Sequence, residues 1–106
     1  MGKKSRNKGM AAEREVVNLL EKHGCKAQRT APLQAAKGAE SGADVLLDDT
    51  YRIEVKRRRD GFSSLYKWLE SADFLFLRAD RKQYIVAMPV EMFLELYAAA
   101  KGRQSS

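Results

Sequence analysis

Apolar positions in this chain of 106 residues recur at helical spacing in three places and at strand spacing in the stretches between. The first helical pattern runs from about Gly9 to His23, with Met10, Val16, Val17 and Leu20 on one stripe and Lys22, His23 and Gly24 as its C-terminal end. Cys25 to Thr30 reads as a short strand, and Ala31 to Ser41, with Pro32, Gly38 and several small residues, as a long loop. Two β-prone runs follow, Ala43 to Leu47 and Tyr51 to Lys56, joined by Asp48, Asp49 and Thr50 in a hairpin. Ser63 or Ser64 caps the next helix, which reaches about Ser71 with Leu65, Trp68 and Leu69 on its apolar face. Phe74 to Leu77 is continuously apolar, the pattern of a strand covered on both faces, and a turn at Asp80, Arg81 and Lys82 leads to a strand from Tyr84 to Met88. Pro89 suits the first turn of a closing helix whose inward stripe is Val90, Phe93, Leu94 and Tyr97. The predicted order is αβββαββα, an α/β fold with a mixed central sheet flanked by helices.

Ionisable residues break this pattern at four positions. Asp44 begins the first run of the hairpin, and Glu54 and Lys56 interrupt the second, both on the face opposite Ile53 and Val55. A three-residue loop pairs Leu47 with Tyr51 and sets Asp44 opposite Glu54; a two-residue loop puts the two on opposite faces. Carboxylates about 5 Å apart across a strand pair repel unless a cation lies between them, a place a divalent metal would fill. Glu13, the fourth position, falls in the middle of the Met10, Val16, Val17, Leu20 stripe. Burying it unpaired is costly, so it meets either a basic side chain at the edge of the core or the same metal as Asp44 and Glu54.

Charge sharpens the picture more than composition does. The chain is one domain in length, with no apolar run long enough to span a membrane and a polar, basic N-terminus without the hydrophobic segment of a signal peptide. Cys25 has no second cysteine to pair with, which fits a reducing, intracellular setting, and a phage or prophage source fits the small size. The net charge of +6 sits in the tails: Lys3, Lys4, Arg6 and Lys8 at one end, Lys101 and Arg103 at the other, with no acidic residue in either. We therefore expect a basic disordered arm over 1–8, a single domain over 9–101 and a frayed tail over 102–106. Within the neutral body the basic residues gather at Lys26, Arg29 and Lys37 and again at Arg52 and Lys56 to Arg59, around the carboxylates of the hairpin. That distribution suits a phosphate backbone better than a membrane or an acidic protein; ordinary solvated surface charge is the plain alternative. His23, the only histidine, stands at a helix C-terminus as a capping residue, and there is no zinc-ligand spacing, P-loop, Rossmann glycine signature or internal repeat. Tyr66 and Trp68 fit base stacking or a dimer contact, with core packing the simpler role for Trp68.

Asp44, nine intervening residues, then Glu54-Val55-Lys56, with a helical glutamate upstream, resembles the PD-(D/E)XK nuclease superfamily. The stretch from Lys8 to Gly24 is similar to the first helix of archaeal-type Holliday junction resolvases, and the likeness continues to the Glu-Val-Lys strand, about half the chain. The resemblance implies a restriction-endonuclease-like fold and a homodimer that nicks four-way DNA junctions in pairs, without a small-molecule cofactor. It implies Glu13, Asp44, Glu54 and Lys56 as catalytic residues, the three carboxylates holding Mg²⁺, with Mn²⁺ as a substitute. Thr30 after Arg29 corresponds to an assisting serine of the family, with Ser41 a rival. Lys3, Lys4, Arg6, Lys8, Arg29, Lys37 and Arg57 to Arg59 would contact the DNA backbone. Ala43 stands where the motif has proline, and the loop before Asp44 is longer than in those resolvases. Two other readings share the fold: a nuclease with a repair, nicking or restriction target, and a non-catalytic DNA-binding module.

Overall fold

The computed structural model describes residues 2–30 and 44–104, with side chains at 8–30 and 44–103. The expected loop from Ala31 to Ser41, with Lys37 and Ser41, therefore lies outside the described residues, as do the side chains of Lys3, Lys4 and Arg6. The described elements make a mixed α/β chain in two compact units, Met1–Arg57 and Arg58–Ser106. No described helix is long and apolar enough to cross a membrane.

In the first unit, α1 spans Gly2–Lys22. It begins before the expected Gly9 because lysine and arginine are good helix formers and extending a helix is far easier than nucleating one. Its end is a Schellman motif: Gly24 N–H donates to Glu21 O at 3.0 Å and Cys25 N–H to Leu20 O at 2.9 Å. Gly24 at φ +83° adopts the left-handed conformation the motif demands. The His23 ring adds the expected cap, its Nδ1 lying 2.9 Å from Leu19 O. The stripe of α1 covers a three-stranded antiparallel sheet, β1 (Ala27–Arg29), β2 (Val45–Leu47) and β3 (Tyr51–Ile53), in the spatial order β1-β2-β3. Ala12, Leu20, Ala27, Val45 and Leu47 form its buried core.

The hairpin register is the one that the three-residue loop requires, with Leu47 paired to Tyr51 and Val45 to Ile53. The loop turns sharply because Asp48 and Asp49 both take positive φ, 53° and 56°. Thr50 N–H closes the turn on Leu47 O at 3.0 Å, the mirror-image turn geometry that matches strand twist.

In the second unit, α2 (Ser63–Trp68) runs into one 3₁₀ turn at Leu69–Ser71. Antiparallel strands β4 (Leu75–Leu77) and β5 (Ile85–Ala87) follow, and then α3 (Val90–Gln104). Several expectations are corrected here. The cap position of α2 is Phe62, without a side-chain bond, so neither Ser63 nor Ser64 caps it. Trp68 is not core but 52% exposed, since a helix of six residues turns only Leu65, with Leu69 beyond it, inward. The Phe74 to Leu77 run is not covered on both faces: Phe76 is 64% exposed, because antiparallel pairing with β5 leaves one face of a two-stranded sheet open. Pro89 precedes α3 and accepts from Met92 and Phe93 N–H; Phe93, Leu94 and Tyr97 turn inward as expected, whereas Val90, in the first turn, is exposed rather than part of that stripe. Pairing among the described strands is antiparallel throughout, in one three-stranded and one two-stranded sheet, where a single mixed central sheet is expected.

Candidate active site

Three of the four residues that break the hydrophobic pattern, Asp44, Glu54 and Lys56, stand at one end of the three-stranded sheet, and the fourth, Glu13, meets Arg29 of β1. The last paired row is Arg29, Val45 and Ile53. One step beyond it Thr30 N–H donates to Asp44 O at 3.0 Å, which extends the β1–β2 pairing to Asp44. Across β3, Asp44 N–H donates to Ile53 O at 2.9 Å, and Val55 N–H donates to the Asp44 carboxylate, Oδ2, at 2.7 Å. Main chain and side chain of Asp44 are thus tied to the residues on either side of Glu54. Of the two registers the sequence allows, the one observed sets Asp44 opposite Glu54, whereas the contact with the Val55 amide is not anticipated. Its signal is the position itself, an aspartate at a strand end facing a main chain that has run out of ladder partners.

Glu54 and Lys56 lie two residues apart beyond β3, and their charged groups are 3.9 Å from each other, as strand alternation requires. Both are open to solvent, 58% and 56% exposed, so this contact adds little to stability. Ile53 and Val55, at the alternate positions, are half-buried.

Glu13 is met by Arg29, whose Nε donates to Glu13 Oε1 at 3.0 Å, with the side chains only 18% and 20% exposed. The plain explanation for a carboxylate on the apolar stripe is therefore present. A signal for the partner exists in the sequence, since alternation puts Arg29 on the same face of β1 as buried Ala27. One misplaced charge on the helix and one on the strand it covers are natural partners. Thr30 is buried at 7%. Of the basic residues read as DNA contacts, Lys8, Arg58 and Arg59 are exposed, and Arg57 reaches Glu15 at 3.7 Å across a solvated gap. Lys26 bonds Asp49 instead, and this hydrogen bond raises its pKa from the ordinary 10.5.

Donor chemistry at the sheet end suits a hard divalent cation bound openly. Asp44 has one oxygen on an amide, and Glu54 presents its carboxylate to solvent beside a distant ammonium. No cluster of three His, Cys, Asp or Glu side chains among the described residues encloses a metal position. Mg²⁺ in general needs only one or two carboxylates, its remaining positions going to water and to substrate phosphate.

Residues 4–67 match the model of a family described as archaeal Holliday junction resolvase (hjc). The matched stretch runs from the first turns of α1 through the hairpin and into α2, and so contains all of these residues. No curated protein and no solved structure matches the chain significantly.

Proposed function

The chain belongs to the archaeal Holliday junction resolvase family, and from that premise we propose that it is a Mg²⁺-dependent endonuclease that resolves four-way DNA junctions by paired nicks, acting as a homodimer inside the cell. The observation that carries this reading is the hydrogen bond from Val55 N–H to Asp44, 2.7 Å, which holds the aspartate of the motif against its Glu-Val-Lys segment. The frame proposed for the whole is the restriction-endonuclease-like mixed sheet of the superfamily.

Asp44 and Glu54 would hold the ion; Glu13, proposed as a third carboxylate, is partnered by Arg29 and forms no three-carboxylate cluster with them among the described residues. When bound, such an ion polarises a phosphodiester and acidifies water. The chain's own residues do the rest. Val55 N–H fixes one Asp44 oxygen and so aims the other, and Thr30 anchors the Asp44 main chain from the opposite strand. The Lys56 ammonium, beside Glu54, orients the attacking water or offsets charge gathering on the phosphate. Lys8 and Arg57 to Arg59, with Lys3, Lys4, Arg6 and Lys37, contact backbone phosphates without reading bases, which is recognition of shape. A twofold dimer supplies two such sites in the symmetry that paired nicks need.

The test is incubation of the purified chain with a synthetic four-way junction, linear duplex and single strands, with Mg²⁺ or chelator. Symmetric paired nicks on the junction alone, absent with chelator, are the expected result. Cleavage of plain duplex at a fixed sequence would place the target elsewhere, and junction binding without cleavage would make the chain a binding module.

A further inference from the structure

The β4–β5 hairpin carries an exposed face that the cleavage site does not use. Its register pairs Phe76 with Val86 and Leu77 with Ile85, so one step further Arg78 lies across from Tyr84. Alternation then puts Phe76, Arg78, Tyr84 and Val86 on one face. Phe76 is 64% exposed, Tyr84 62% and Val86 47%. The Phe76 and Tyr84 rings meet edge to face with centroids 6.3 Å apart, and the Arg78 guanidinium stands over the Tyr84 ring, 5.4 Å from its centre. At the tip of the hairpin Arg81 and Lys82 outnumber Asp80, and Arg81 is held at φ 66°.

We propose that this face is a stacking platform for unpaired DNA bases, a reading that rests on the nucleic-acid function above and adds to it a second contact of different chemistry. Every base has an apolar face, so aromatic side chains take bases without regard to sequence, at about 1–3 kcal/mol each. An arginine over one ring holds that ring in place and brings charge for the neighbouring phosphate. Arg81 and Lys82 extend the cationic edge along which a strand would run. A second copy of the chain is a poorer occupant. Twofold contact through this face with the two hairpin tips side by side would bring Arg78, Arg81 and Lys82 of one protomer towards the same cations of its partner. Branched DNA offers such base faces where stacking is interrupted at the branch point.

The test measures binding of fluorescent oligo-dT and of a blunt duplex to the full chain by anisotropy, for the unaltered protein and for Phe76→Leu, Tyr84→Leu and Phe76→Trp. The leucine variants keep apolar bulk and lose the ring face, and circular dichroism checks that they fold. Each leucine variant is expected to weaken oligo-dT binding about fivefold or more, with duplex binding unchanged within about twofold and Phe76→Trp retaining affinity. The proposal is overturned by no measurable oligo-dT binding, by equal losses on both probes, or by leucine variants that split a dimer in light scattering while oligo-dT affinity holds. Junction cleavage by the unaltered chain is scored separately. Cleavage without a leucine effect removes only the platform, whereas no cleavage with an intact oligo-dT effect removes only the nuclease reading.

Discussion

The Glu13–Arg29 pair allows a structural and a catalytic role to be separated by measurement. Its side chains are 18% and 20% exposed, which lies between a solvated ion pair and one sealed in a core. Solvated pairs contribute about 0–1 kcal/mol, and breaking a buried one costs about 3–5 kcal/mol. Arg29→Met leaves the Glu13 carboxylate nearly buried without its cation, and we expect a loss of about 2 kcal/mol. Glu13→Gln keeps shape and a hydrogen-bond acceptor and should cost about 1 kcal/mol. In the double variant no charge is stranded, so the two losses should fall short of additivity by about 1–2 kcal/mol. Urea unfolding of the four proteins measures this, and melting temperature follows at roughly 4–8 °C per kcal/mol. A coupling below about 0.3 kcal/mol, the ordinary error of additivity, would refute the view that Arg29 is what makes Glu13 tolerable on its stripe. Mg²⁺ titration of the same proteins gives the catalytic answer. A purely structural Glu13 predicts that the double variant recovers stability and binds the ion normally. A Glu13 that also serves the ion predicts recovered stability with weakened binding.

Three further outcomes follow from individual contacts. Gly24→Ala should cost about 1 kcal/mol in thermal unfolding, because the position needs φ +83° while nothing stands within 4 Å to clash, so the loss is conformational alone. Lys56→Met should lower single-turnover junction cleavage about a hundredfold while the dissociation constant for the junction, read in chelator, stays within about threefold. The bond to Asp49 raises the pKa of Lys26, so the stability that this contact contributes is complete below the ordinary lysine pKa of 10.5 and is lost as pH rises through the higher folded value. The stability difference between the unaltered chain and Lys26→Met should accordingly be constant from neutral pH to about pH 10 and shrink above it.

Much of the site was legible in the sequence because strand alternation and turn length are strong constraints. Once three residues separate Leu47 from Tyr51, the place of Asp44 against Glu54 follows, and so does the proximity of Glu54 to Lys56. The Schellman end at Gly24 and the inward face of α3 follow equally from local rules. Elsewhere the controlling interaction lies far along the chain. Arg29 as the partner of Glu13 depends on which strand α1 covers. The Val55 amide reaches Asp44 because the β2–β3 ladder ends at Val45 and Ile53, short of the expected strand bounds at Ala43 and Lys56. Trp68 and Phe76 show the converse error: an apolar residue at helix or strand spacing marks a face, but nothing in the spacing says whether that face is covered. Their exposure depends on how short α2 is and on how few strands flank β4.

The most direct measurement of the central claim is the single-turnover rate at which Glu54→Gln cuts a four-way junction in Mg²⁺, compared with the unaltered chain at equal junction occupancy. The substitution removes charge from an exposed side chain and should leave folding intact. The account predicts a loss of about a hundredfold or more, the several kcal/mol that a displaced metal contributes to charge stabilisation. A rate within about threefold of the unaltered chain would contradict the assignment of this sheet end as the place where the phosphodiester is cut.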